Sequence, residues 1–101
     1  MSKPTNIELK DYCKAVEICA EKRGYGYVKH GPKKGSVYSF EIFEDKDAVA
    51  PAIIWHIHTA HSKKKEIYSD DLKKAWERTA IPREDFIDTL RSMKKKYQNL
   101  R

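Results

Sequence analysis

A chain of 101 residues with 40% hydrophobic and 11% aromatic content reads as one domain, residues 1–101, able to bury roughly two-thirds of its unfolded surface without covalent staples. Its 21 Lys and Arg against 15 Asp and Glu leave a formal net charge of +6, which favours an anionic partner through counterion release. Cys13 and Cys19 are the only cysteines, which argues against a disulfide framework or a cysteine-built zinc site. The start Met1-Ser2-Lys3-Pro4-Thr5 has no apolar h-region and no run reaches membrane-spanning length, so the expected setting is cytoplasmic, reducing and away from membranes.

In chain order, Thr5 and Glu8 have capping-box spacing. Leu9, Tyr12, Cys13, Val16, Cys19 and Ala20 then recur at helical period, predicting a helix over about residues 6 to 23 that Gly24 stops. Residues 25–29 read as a short strand, and Gly31-Pro32-Lys33-Lys34-Gly35 as a turn. Residues 36–44 alternate, with Tyr38, Phe40 and Ile42 on one face; Ile53, Trp55 and Ile57 alternate in the same way. Placing both apolar sets on one face of a sheet pairs Phe40 with Trp55, Tyr38 with Ile57 and Ile42 with Ile53. The opposite face then sets Val37 beside His58 and Ser39 beside His56. Ser69 reads as an N-cap for a helix whose buried stripe is Leu72, Ala75, Trp76 and Thr79 or Ala80. Pro82 suits the first turn of a last helix with Phe86, Ile87, Leu90, Met93 and Tyr97 on its apolar face and Lys94-Lys95-Lys96 at its end. The expectation is α+β in the order α-β-β-β-α-α, a three-stranded antiparallel sheet with helices packed on one face.

Three of the four histidines fall in His56-Ile57-His58-Thr59-Ala60-His61, next to Lys63-Lys64-Lys65. Residues i and i+2 of a strand point the same way, about 6 to 7 Å apart, so His56 and His58 can face one ligand. With His61 they spell H-x-H-x-x-H, the spacing of the first metal motif of metallo-β-lactamase-like hydrolases. Ala60 stands where that family has Asp, and no later His completes a site, so no metal is assigned. Phosphodiester chemistry suits the same imidazoles better, since a His of near-neutral pKa takes or gives a proton without metal. Lys33, Lys34, Lys63, Lys64 and Lys65, with His56, would then hold the phosphates; the plainer alternative is that these lysines only solvate two loops. Glu41, on the face of His56 and His58, is a carboxylate able to orient an imidazole. His30 reads as an exposed loop residue. There is no Gly-rich phosphate loop and no Ser/His/Asp order, so no cofactor is assigned.

Lys34-Gly35-Ser36-Val37-Tyr38-Ser39-Phe40, the His61-and-lysine loop before a helix, and Ala80-Ile81-Pro82-Arg83-Glu84-Asp85-Phe86 together resemble the HicA toxin family over about residues 7 to 90. The resemblance implies a double-stranded-RNA-binding-domain-like fold, metal-independent endoribonuclease activity on mRNA, and a toxin-antitoxin pairing with a HicB-like protein. His61 matches the histidine that closes the family's third strand. Where the family places its catalytic histidine, directly after Gly-Ser, this chain has Val37. Either catalysis is lost and an RNA-binding module remains, or His58 on the neighbouring strand, with His61, has taken over the proton transfers. The alternative from a different class is a non-enzymatic protein-interaction domain that uses the open face or edge of the sheet.

Overall fold

The computed structural model describes residues 3–100. The elements are β1 (Pro4–Glu8), α1 (Leu9–Lys22), β2 (Tyr27–Lys34), β3 (Val37–Phe43), β4 (Ile53–His58), β5 (Glu66–Tyr68), α2 (Ser69–Leu72), α3 (Lys74–Glu77), α4 (Arg83–Met93) and a 3₁₀ turn at Lys95–Tyr97. The fold is α+β. Strands β2, β3 and β4 form a three-stranded antiparallel sheet in that spatial order. Its register is the expected one: Phe40 lies opposite Trp55, Tyr38 opposite Ile57, Ile42 opposite Ile53, Val37 opposite His58 and Ser39 opposite His56.

The face carrying Phe40, Ile42, Trp55 and Ile57 is buried because alternation puts these four large apolar side chains on one side, while Phe43 and Ile54 fall on the other. Helices α1 and α4 cover it. Tyr12 of α1 meets Phe40 and Phe86 edge-on at 5.2 and 5.4 Å, and Trp55 stacks on Phe40 at 5.1 Å. The Trp55 indole N–H donates to the Tyr12 hydroxyl at 3.1 Å, so the buried rings keep a partnered polar edge. Tyr38, Leu72 and Trp76 pack against this core from its rim, half-buried.

Five local expectations are corrected. Thr5 caps no helix: its hydroxyl donates to the Ile67 carbonyl at 2.6 Å and accepts the Ile7 N–H at 3.2 Å, holding β1 against β5 in a second, two-stranded antiparallel sheet. The turn expected over residues 31–35 is strand up to Lys34, with Gly35 in the left-handed region at φ 57° and a register shift between Pro32 and Lys34. Ser69 is not an N-cap either. Tyr68 holds that position, and the Ser69 hydroxyl accepts the Lys3 N–H at 3.3 Å. The helix expected there is two single turns, α2 and α3, which leaves Trp76 half-buried beneath the Arg83 guanidinium, 5.5 Å from the ring centroid. Finally, Lys94 is extended (φ −141°, ψ 146°) and ends α4 at Met93; the following 3₁₀ turn brings Tyr97 back into the core, fully buried.

Candidate nucleic-acid interface

Strand β4 is one of the two outer strands of its sheet, so backbone groups of alternate residues point away from β3 with no strand to receive them. The two short turns after β5 supply substitutes. Asp71 accepts the His58 backbone N–H at 2.8 Å, Lys74 donates to the His56 carbonyl at 3.0 Å, and the two side chains pair with each other at 2.8 Å. This clamp brings the buried Asp71 carboxylate to 3.6 Å from His58 Nδ1, with the imidazole itself 58% exposed. The carboxylate positioned to orient His58 is therefore Asp71; Glu41 sits opposite Ile54 instead.

His58 and His61 open onto one hollow of about 420 Å³, which Ser36, Tyr68, Asp70 and Asp71 also line. Beyond His61 the chain folds into a tight loop: the Ala60 N–H donates to the Glu66 carbonyl at 2.9 Å and the Lys65 N–H to the Ser62 carbonyl at 3.2 Å. Lys65 itself has a left-handed φ of 49°, and Lys63, Lys64 and Lys65 are all exposed. A cleft of about 510 Å³ runs between this loop, through His61, Lys63 and Lys65, and the β2–β3 turn, through Pro32, Gly35 and Ser36. The exposed Lys33 and Lys34 lead into that turn. The turn that follows Lys33 and Lys34 and the loop that carries Lys63 to Lys65 are thus the two walls of one cleft, which His61 also lines.

His56 goes elsewhere. Its Nε2 is 3.2 Å from Lys33 Nζ, and an ammonium has only protons to offer, so Nε2 accepts and the imidazole proton sits on Nδ1. That Nδ1 is buried and makes no hydrogen bond among the described residues. His56 is accordingly parted from His58 and His61, and among the described residues no three His, Cys, Asp or Glu side chains gather as a metal-holding group.

Two further groups depart from what their place in the sequence suggests. His30 is no loop residue: it is half-buried on β2, opposite Phe40, with Nε2 2.9 Å from Glu17 Oε1 and Nδ1 3.0 Å from the Tyr38 hydroxyl. The alternation of Val28 and His30 against Ile42 and Phe40 was the signal that could have placed it on the core side. Lys94 and Lys96 do not simply offset a helix dipole. Lys94 reaches Glu8 at 3.1 Å and Asp11 at 2.9 Å, and Lys96 reaches Glu8 at 2.7 Å.

No helix among the described residues is long and apolar enough to cross a membrane. No family model, curated protein or solved structure matches this chain.

Proposed function

We propose that this chain is a small basic RNA-binding protein of HicA type, with a double-stranded-RNA-binding-domain-like arrangement of α1 and its sheet, and that the hollow holding His58 and His61 cleaves RNA without metal. The observation that carries the reading is the convergence of two imidazoles, one backed by Asp71, on a hollow next to the cleft walled by the two lysine-bearing loops. In the proposed reaction His58 takes the 2′-hydroxyl proton and O2′ attacks the adjacent phosphorus. The 5′-oxygen leaves with a proton from His61, and a 2′,3′-cyclic phosphate remains. Asp71 steadies the imidazolium that forms on His58, so proton transfer and charge stabilisation come from neighbouring side chains.

The test is cleavage of end-labelled RNA by purified protein in the presence of a chelator. His58→Ala should reduce cleavage at least about 100-fold, the lower range for a positioned acid or base, with RNA affinity unchanged; cleavage that survives the substitution removes His58 from the reaction. A wild type that binds RNA without cutting it, and gains cleavage on Val37→His, would make the chain a silent binder. Affinity should fall at least about tenfold between 50 and 200 mM salt, and glutamine at Lys33, Lys34, Lys63, Lys64 and Lys65 should flatten the log-log salt slope by about one for each phosphate no longer neutralised. An unchanged slope would leave these lysines as a solvated surface only.

A second reading has its own observation. At the far end of the open sheet face Tyr27 stacks on Phe43 at 4.3 Å and Ile54 is 56% exposed. That apolar end suits a protein partner, which the HicA resemblance would make a HicB-like antitoxin. Binding to such a partner that is insensitive to salt and abolished by Tyr27→Ser with Ile54→Ser would favour an interaction domain. A small HicB-like reading frame beside the gene would identify the partner to test.

A further inference from the structure

On the helix-covered side of the sheet, away from the His58 hollow, a cleft of about 640 Å³ opens between the first turns of α1, the edge strand β2 and the lysine loop. Its volume lies within the range of about 300–1,000 Å³ usual for small-molecule sites. Lys10 and Lys14 from α1 and Lys63, Lys64 and Lys65 from the loop line it. The two carboxylates there are already engaged: Glu8 by Lys94 and Lys96 and, at 3.9 Å, by Lys10 of the cleft itself, and Glu17 by His30. Five ammonium groups around a concave, partly apolar wall therefore make a field that draws anions.

The wall between them is chemically specific. Leu9, Cys13 and Tyr38 contribute apolar surface. Glu17, His30 and the Tyr38 hydroxyl form a chain at 2.9 and 3.0 Å. The Tyr38 hydroxyl lies 3.0 Å from His30 Nδ1 and also meets the Cys13 thiol, so its oxygen is fixed at the cleft wall, where a phenol oxygen can accept from a ligand donor. Burial pushes the Tyr38 hydroxyl and the Cys13 thiol each up to about 12. Both stay protonated at neutral pH and neither is a ready nucleophile. The wall is suited to holding a ligand by hydrogen bonding and charge.

We propose that this cleft binds a mononucleotide-sized phosphate ester, its phosphate among the lysines and a hydroxyl or amino donor against Tyr38. The site shares no lining residue with the His58 hollow, and with the cleft of the proposed RNA surface it shares Leu9, Tyr38, Lys63 and Lys65, whereas Lys10, Lys14, Cys13 and His30 are its own. The lysines supply charge-assisted contacts to phosphate oxygens, and Tyr38 supplies the direction.

The probe is adenosine 5′-monophosphate, followed on the full chain by ¹⁵N NMR titration of the Leu9, Cys13 and Tyr38 amides. The monophosphate should shift these resonances saturably, and adenosine should bind at least tenfold more weakly. Lys10→Gln with Lys14→Gln, both outside the RNA surface, should weaken the monophosphate at least tenfold and leave RNA affinity unchanged. Tyr38→Phe should weaken it about fivefold, the effect of one hydrogen bond. Lys33→Gln with Lys34→Gln should do the reverse of the α1 pair, lowering RNA affinity and sparing the monophosphate, so the two sites fail or hold separately. No saturable shift at millimolar monophosphate, equal binding of adenosine, or an affinity unmoved by both the α1 lysine pair and Tyr38→Phe would each overturn the proposal.

Discussion

Gly26 shows how one missing side chain positions a loop. A Cβ at this residue would lie 2.3 Å from the backbone carbonyl carbon of Asp45, while the Gly26 N–H donates to the Phe43 carbonyl at 2.9 Å. The chain leaving β3 is thus held flat against the start of β2 by backbone contact that no side chain can enter. Gly26→Ala should cost about 1–3 kcal/mol, as overpacking does, measured by urea unfolding. Gly31→Ala is the control: nothing lies within 4 Å of its added Cβ, and its stability should stay within about 1 kcal/mol of wild type. Equal losses at both positions would mean that the close approach at Asp45 is not what constrains Gly26. The same scale explains why His30 and Asp71 escape a reading by residue type. A histidine next to Gly-Pro and an aspartate in a first helical turn both look solvated until strand pairing decides which groups they meet.

Among the elements, the covered edge of β4 depends on two short turns. Asp71 is buried and holds both the His58 N–H and the Lys74 ammonium. Asp71→Ala should therefore destabilise by about 1–3 kcal/mol, the cost of leaving buried partners unsatisfied, and expose an edge able to pair with another strand. Urea unfolding and size-exclusion chromatography check this; a variant as stable and as monodisperse as wild type would deny the clamp its role. The break between α2 and α3 also reorders the core tryptophans. Trp55 is 4% exposed and stacked on Phe40, so Trp55→Ala should cost about 3–5 kcal/mol. Trp76, half-buried at the rim, should lose clearly less on the same substitution. Helical spacing alone makes Trp76 look like a full core residue, because periodicity reports which side a residue faces and not whether the helix continues.

Across the whole molecule, the carboxyl-terminal segment is latched to the junction of β1 and α1. The Tyr97 hydroxyl donates to Asp11 at 2.6 Å and accepts the Glu8 N–H at 3.0 Å, and Lys94 and Lys96 close on Glu8 from the same segment. Tyr97→Phe should cost about 1–3 kcal/mol, since the Glu8 N–H loses its acceptor and the buried Asp11 carboxylate is left with Lys94 alone of these two partners. Hydrogen bonds from Lys96 and Lys94 hold the Glu8 carboxyl down to about 2, against an ordinary 4.5. A depressed carboxyl pKa stabilises the fold above its unfolded value and ceases to do so as pH falls through the folded one. Lys94, raised above its ordinary value by Asp11 and Glu8, works in the opposite sense and gives up its contribution only as pH rises past 10.5. Stability should thus drop between about pH 5 and pH 2, and Glu8→Gln should flatten that part of the profile in thermal melts. A variant with the wild-type acid slope would place the acid sensitivity elsewhere.

Period-two alternation in two neighbouring apolar strands rules out every odd slip, and matching their apolar residues in a hairpin closed near residues 45–50 picks the pairing, so the α+β class, the three-stranded sheet and the register between β3 and β4 were legible in the residues alone. So were most of the aromatic core and the nearness of the histidine run to the lysine loop. The pairing of β1 with β5, where Pro4 lies opposite Tyr68 and Glu8 opposite Glu66, was not. Short strands with little apolar alternation carry no local period, and their partners lie about sixty residues apart in the chain, so nothing in the local sequence marks the pairing. Long-range packing likewise placed Asp71 beside His58, Glu17 beside His30 and Tyr97 beside Asp11. Each of these contacts is set by where a polar side chain lands after the apolar faces are buried, and hydrophobic spacing along the chain does not encode that landing.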